Sequence, residues 1–281
     1  MPADANNPFI IYSSARTGSN QLIQWLNRHP LIQCHYEVYS PNNVYTLPPR
    51  PQEMGLRDQD PVAFMQRLFT DAAKPVVGFK IFPDQCEAVI TASLQDRCIS
   101  KLILYRANVL AQHASMEEAL LRNRWVTLKS DLPQSASDEG QAEDTEQDAK
   151  PSFDADRFER FAAKIAGFYA HLMEQLLISQ QPALVFEYTQ IFNPLLVENL
   201  AASLIAPSPA AASTGRVAID ASNRHASGHH KTGSFVIPDR FSNPHTVLDH
   251  LTATGQMHYA IEVMQTWSPA PQPATPSRSP L

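Results

Sequence analysis

Five short runs of apolar residues limit what this chain can fold into: Phe9–Tyr12, Leu31–Cys34, Val76–Phe82, Lys101–Tyr105 and Ala183–Glu187. Each run is nearly continuous instead of alternating with polar residues. That is the pattern of strands buried on both faces, as in parallel sheets covered by helices. Helical periodicity lies between the runs, clearest over Gly18–Asn27, Asn108–Arg122, Asp154–Ser179 and Pro194–Leu204. A last helix is expected over Pro244–Gln265 or part of it, interrupted near Gly255. The β–α alternation predicts an α/β fold, a three-layer sandwich with a central parallel sheet flanked by helices.

The 281 residues are read as a single domain over 1–267, with ample chain for a buried core. Ser130–Ser152 is acidic and poor in apolar residues, so a solvated insertion is expected there. Residues 206–215 read as a flexible connection, and the Pro/Ser-rich tail 268–281 as disordered. No internal repeat is present. The formal charge of −6 disfavours a general nucleic-acid binder, so any polyanion site must be local. No apolar run approaches the length of a membrane span. Met1–Asn7 lacks the basic and apolar regions of a signal peptide, and a cytoplasmic protein is expected. Cys34, Cys86 and Cys98 lack metal-ligand spacing and are read as reduced thiols.

The first apolar run leads into Ser13-Ser14-Ala15-Arg16-Thr17-Gly18-Ser19-Asn20 and then a helix. A strand, a small polar turn and a helix N-terminus together make an anion cradle, because N–H groups and the helix dipole converge there. The turn departs from a Walker A loop, which would end Gly-Lys-Ser/Thr. Here Ser19 and Asn20 follow Gly18, and the cation comes earlier, as Arg16. An ordinary strand-to-helix turn with an exposed Arg is the competing interpretation. The strand Lys101–Tyr105 ends in Arg106, where a magnesium-dependent ATPase would place a carboxylate. Ser115 falls a little over two turns into the next helix, and both could reach one phosphate. The bland alternative is a surface Arg with a Ser bonded to its own helix backbone.

At this point a family resemblance becomes specific. SSARTGSN with its helix resembles the 5′-phosphosulfate loop of sulfotransferases that use 3′-phosphoadenosine 5′-phosphosulfate (PAPS), and LILYRANVLAQHAS resembles their 3′-phosphate-binding segment. The two motifs are in the right order, roughly ninety residues apart. Asn27-Arg28-His29-Pro30 with His35-Tyr36-Glu37, Val77-Gly78-Phe79-Lys80 and Phe186-Glu187-Tyr188 are smaller echoes. The bacterial branch with the trehalose, nodulation-factor and lipopolysaccharide sulfotransferases is the most similar. The resemblance implies a P-loop-like fold, PAPS as co-substrate, the bisphosphate PAP as product and no required metal. It also implies a carbohydrate, glycolipid or other small-alcohol acceptor, and leaves oligomeric state open. A P-loop kinase or NTPase and a non-catalytic nucleotide-binding protein remain the alternatives.

Carried onto this chain, the resemblance gives Arg16, Thr17, Gly18, Ser19 and Asn20 to the 5′-phosphate and Arg106 and Ser115 to the 3′-phosphate. Arg16 would also neutralise charge on the breaking bond. Glu37 corresponds to the proposed base. His35, two residues away and on the same side if the strand continues, is the runner-up. Lys80 either contacts the transferring group or snorkels at a strand edge. Trp125 is a candidate acceptor-pocket residue, although packing is its simpler role. The resemblance also makes Lys231 a nucleotide contact, in a basic loop that would fold over the nucleotide, although this region departs from the family's pattern; His225, His229 and His230 lack the partners of a metal site.

Overall fold

The computed structural model describes residues 6–123, 149–205 and 234–262. Five strands, β1 (Asn7–Tyr12), β2 (Ile32–Glu37), β3 (Val76–Ile81), β4 (Ser100–Tyr105) and β5 (Leu184–Glu187), form one parallel sheet in the order β2-β3-β1-β4-β5. Eight α-helices occur among the described residues: α1 (Ser19–Asn27), α2 (Met54–Gln59), α3 (Pro61–Thr70), α4 (Glu87–Gln95), α5 (Val109–Leu121), α6 (Ala155–Ser179), α7 (Pro194–Ile205) and α8 (Pro244–Thr254). The three-layer α/β sandwich is therefore present. None of these helices is long and apolar enough to cross a membrane.

Alternate residues of β1 face opposite layers, as the two-residue strand period requires. Ile10 and Tyr12 join Phe64, Val89, Phe168 and Leu172, which belong to α3, α4 and α6. Phe9 and Ile11 join Leu22, Leu26, Val197 and Leu204, which belong to α1 and α7. A third cluster ties α5, the start of α6 and α8 together through Leu110, Phe158, Phe241 and Val247. β1 lies mid-sheet, and the chain crosses to β2 on one side and to β4 on the other. The turn after β1 thus opens at the switch point, where open α/β sheets hold ligands.

Three helices go beyond the sequence expectation. α3 carries a recognisable start, Asp60 capping the Ala63 N–H at 2.9 Å with Pro61 next. α2 is short and sits in a proline-flanked stretch. α4 carries Val89, Ile90 and Thr91 in succession, a strand-like run held as helix by packing against α3 and α6. At the C-terminal end the expected helix stops at Gly255, whose φ of 70° caps α8, and Met257–Tyr259 form a separate 3-10 turn.

β2 reaches Glu37, beyond its expected end at Cys34, and carries an irregularity. His35 pairs with Phe79 and Glu37 pairs with Lys80, leaving Tyr36 as an extra residue. Phe79 and Lys80 point to opposite faces, so His35 and Glu37 do as well. The same-side expectation for this pair is corrected by the bulge.

Gly78 lets β3 and β1 close: a Cβ there would stand 2.5 Å from the Phe9 carbonyl oxygen and 2.6 Å from its ring. Gly78→Ala should lower unfolding free energy by about 1–3 kcal/mol. Urea denaturation measures this, and an unchanged midpoint would contradict the close approach.

Candidate active site

The turn between β1 and α1 is bent at two left-handed residues, Arg16 with φ 66° and Gly18 with φ 76°. Such a conformation is unfavourable for a side-chain-bearing residue, so Arg16 is held there by its surroundings. The clamps are visible. Ser13 and Thr17 hydroxyls bond each other, and Thr17 Oγ1 donates to the Ser14 carbonyl at 2.8 Å. From α5, the Gln112 amide donates to Ser14 Oγ at 2.7 Å and to the Ala15 carbonyl at 2.6 Å. Gly18 admits no Cβ, since one would lie 2.8 Å from the Tyr188 ring. The result is a rigid turn leading to the α1 N-terminus, whose first N–H groups have no partner within the helix.

Lys80 of β3 reaches this N-terminus. Its ammonium donates to Asn20 Oδ1 and, at 3.3 Å, to Ser19 Oγ. On its other side it pairs with Glu37 Oε1 at 2.9 Å. The residue is only 2% exposed, so the snorkelling alternative does not describe it. Burial pushes its pKa down, and Glu37 opposes that shift. The second carboxylate oxygen, Glu37 Oε2, accepts from Gln85 Nε2 at 3.0 Å. Glu37 itself is partly exposed, with a side-chain accessibility of 29%.

His35 is elsewhere. Its ring is buried on the opposite face, and Nδ1 accepts from the Leu47 N–H at 2.9 Å. Burial and nearby Arg50 lower its pKa to about 4, so the ring is neutral near pH 7.

Arg16 connects the turn with the second motif. Its Nε donates to Ser115 Oγ at 2.9 Å, and its carbonyl accepts from Arg106 Nη1 at 3.1 Å. Arg106 is buried and makes a two-pronged pair with Glu262, Nε to Oε1 at 2.5 Å and Nη2 to Oε2 at 2.7 Å. Its guanidinium also lies 4.2 Å from the centre of the Tyr188 ring. Arg240 makes a second forked pair with Glu118, at 2.8 and 2.6 Å. Burial and the charges of Arg106 and Arg240 lower the Arg16 pKa, with Glu118 opposing. Burial raises the Tyr188 hydroxyl, against the pull of Arg106. Among the described residues, three guanidinium groups gather here with two carboxylates.

A cavity of about 480 Å³ adjoins Arg106, walled by Tyr105, Tyr169, Tyr259, Val109 and Ile165. Neither Glu37 nor Lys80 lines it, so it is separate from their pair.

The structure thus gathers Arg16, Thr17, Gly18, Ser19, Asn20, Lys80 and Glu37 around one turn and joins Arg106 and Ser115 to it through Arg16. It separates His35 from Glu37. Trp125, Lys231, His225, His229 and His230 lie outside the described residues, as do the tail and most of the acidic segment. Sequence reasoning missed Gln85, Gln112, Tyr188, Arg240, Glu118 and Glu262. Gln112 and Tyr188 sat within motifs already singled out, Gln85 closes the turn Phe-Pro-Asp-Gln, and Arg240, Glu118 and Glu262 are long-range partners with no local signal.

No protein-family model matches the chain, and no curated protein matches it. Among solved structures it is similar to the crystal structure of a sulfotransferase from Alicyclobacillus acidocaldarius, at 16% identity over 90% of this chain and 94% of that chain. The TM-score is 0.41, a loose likeness.

His35 gives the fold a pH signature. Its folded pKa of about 4 lies below the ordinary value of 6.5, so the unfolded chain takes up the proton first. The stabilisation is complete above pH 6.5 and is lost as pH falls toward 4, by on the order of 3 kcal/mol. His35→Gln, which keeps an acceptor for Leu47, should flatten this part of the urea-stability profile. An unchanged slope between pH 6.5 and 4 would contradict the assignment.

Proposed function

We propose that the chain is a PAPS-dependent sulfotransferase that moves a sulfuryl group to a hydroxyl of a carbohydrate, glycolipid or other small alcohol. One observation carries this reading: Arg16 bonds Ser115 with its side chain and Arg106 with its carbonyl, so the turn read as the 5′-phosphate site adjoins the pair read as the 3′-phosphate site. A nucleoside with phosphates on both the 3′ and 5′ oxygens needs two adjoining sites. Arg106 also stands at the β4 tip, where a magnesium triphosphate would call for a carboxylate.

In this reading the α1 N-terminus, with the N–H groups of Thr17, Gly18, Ser19 and Asn20, holds the 5′-phosphate. Arg106 and Ser115 hold the 3′-phosphate. Lys231 remains a further candidate for the nucleotide. Lys80 and Arg16 flank the bond that breaks and offset the charge that develops on its oxygen. The acceptor oxygen attacks sulfur in line, and the S–O bond to the 5′-phosphate breaks. The hydroxyl proton passes to Glu37, giving a sulfate ester and the 3′,5′-bisphosphate. Glu37 is preferred over His35 as base because His35 is buried on the opposite face with Nδ1 already bonded. Glu37→Gln should leave bisphosphate binding intact and lower turnover by roughly 10²–10⁴. Labelled PAPS with a panel of hydroxylated acceptors measures this, and full turnover in the variant would exclude Glu37 as base.

Glu262 belongs to the same reading. A carboxylate and a phosphate offer a guanidinium the same two-oxygen edge. Donor binding therefore exchanges Glu262 for the 3′-phosphate on Arg106. Glu262→Gln should tighten bisphosphate binding about tenfold, since the internal competitor is removed, while lowering the melting temperature of the free protein. Calorimetry on the folded variant reads the change, and equal or weaker affinity would show that the 3′-phosphate does not take this place.

A further inference from the structure

We propose that Gln85 is a positioning residue that fixes the Glu37 carboxylate in its orientation for the transfer reaction. The inference rests on Glu37 being the base and concerns how that base is held.

Gln85 closes the turn Phe82-Pro83-Asp84-Gln85 after β3. Its backbone N–H donates to the Phe82 carbonyl at 3.2 Å, and its side-chain carbonyl accepts from the Phe82 N–H at 3.1 Å. Pro83 at the second position of a four-residue turn presets its φ, and Asp84 is tied to α6 through Lys164 at 2.5 Å. The turn is closed by the two bonds between Phe82 and Gln85.

This anchoring decides which way the amide faces. The carbonyl is committed to a backbone donor, so the NH₂ group must point at Glu37 Oε2, 3.0 Å away. The reverse orientation would set NH₂ against an N–H and the amide oxygen against a carboxylate, losing both bonds. With Lys80 on Oε1 at 2.9 Å, each carboxylate oxygen has its own donor. The side chain cannot rotate without breaking one of them. It faces an acceptor hydroxyl with lone pairs already aimed, which keeps the cost of orientation out of the reaction.

The groups facing Glu37 are few among the described residues. Lys80 comes from β3 and Gln85 from the following turn. Arg16 and the Cys34 thiol lie beyond Lys80, within electrostatic range of its ammonium. His35 and Arg50 are coupled to each other on the far face of β2. Gln85 is the uncharged member of the set, so removing it changes no net charge.

The test compares wild type with Gln85→Leu and Gln85→Glu, using the full chain. The Glu37 carboxyl carbon is followed by NMR titration with ¹³C-labelled glutamate, assigned by its loss in Glu37→Gln. Turnover is measured in parallel with labelled PAPS. Gln85→Leu removes a donor to the charged carboxylate, so the midpoint should rise. Turnover should fall about tenfold while KM for PAPS and bisphosphate affinity stay unchanged. Gln85→Glu places a like charge beside Glu37 and should raise the midpoint further. An unmoved midpoint in both variants overturns the proposal, whatever happens to turnover. A moved midpoint with unchanged turnover leaves Gln85 as the group that holds Glu37, but removes Glu37 from the role of base and overturns that part of the functional reading instead. Weaker bisphosphate binding in Gln85→Leu would mark a general distortion of the turn and also overturn the proposal.

Discussion

Much of this site depends on the backbone of one residue. Arg16 sits at a positive φ, an unfavourable conformation held in place by hydrogen bonds from Thr17 and from Gln112 on α5. That conformation turns the Arg16 carbonyl toward Arg106 and its guanidinium toward Ser115. The loop after β1 and the helix after β4 are thereby locked to each other, about ninety residues apart in sequence but adjacent in space. If the turn relaxed, the cations would no longer be held at a fixed separation, and separation is what distinguishes a two-phosphate ligand from two unrelated anions.

Charges in this region are buried in partnership. Lys80 and Arg106 are nearly inaccessible, and an unpaired charge there would cost several kcal/mol. Each instead meets a carboxylate, Lys80 with Glu37 and Arg106 with Glu262. The two pairs differ in character. Glu37 is partly open to solvent and shares its oxygens between two donors, which suits the proton acceptor proposed for it. Glu262 is buried and forked onto one guanidinium, which suits a placeholder for an anion of similar shape. Arg240 and Glu118 form a third pair, within electrostatic range of Arg16.

The sheet was readable because its strands are continuous apolar runs. All five were located, within a few residues at their ends, from Phe9, Leu31, Val76, Lys101 and Ala183 onward. The turn and the two arginines were readable because charged residues at strand ends are conspicuous in such runs. What was not readable depended on register or on distance. The bulge at Tyr36 adds one residue to β2 and reverses the relation of His35 to Glu37, with no sign in the local pattern. α4 looked strand-like because of Val89-Ile90-Thr91, and tertiary packing decided otherwise. Glu262 lies 156 residues from Arg106, in a last segment expected to pack back onto the domain, but nothing local said which side chain it would meet. Gln85 came with a legible turn, Phe-Pro-Asp-Gln, but the turn alone does not say which side chain it aims at.

The central claim is that the turn and the arginine nest form one site for a nucleoside 3′,5′-bisphosphate. Thermal denaturation with matched ligands tests it most directly. In the presence of EDTA, 3′,5′-adenosine bisphosphate should raise the melting temperature, and 5′-AMP should do so much less, because only the bisphosphate fills both the turn and the Arg106–Ser115 pair. Stabilisation by ATP with magnesium, with none from the bisphosphate, would contradict it.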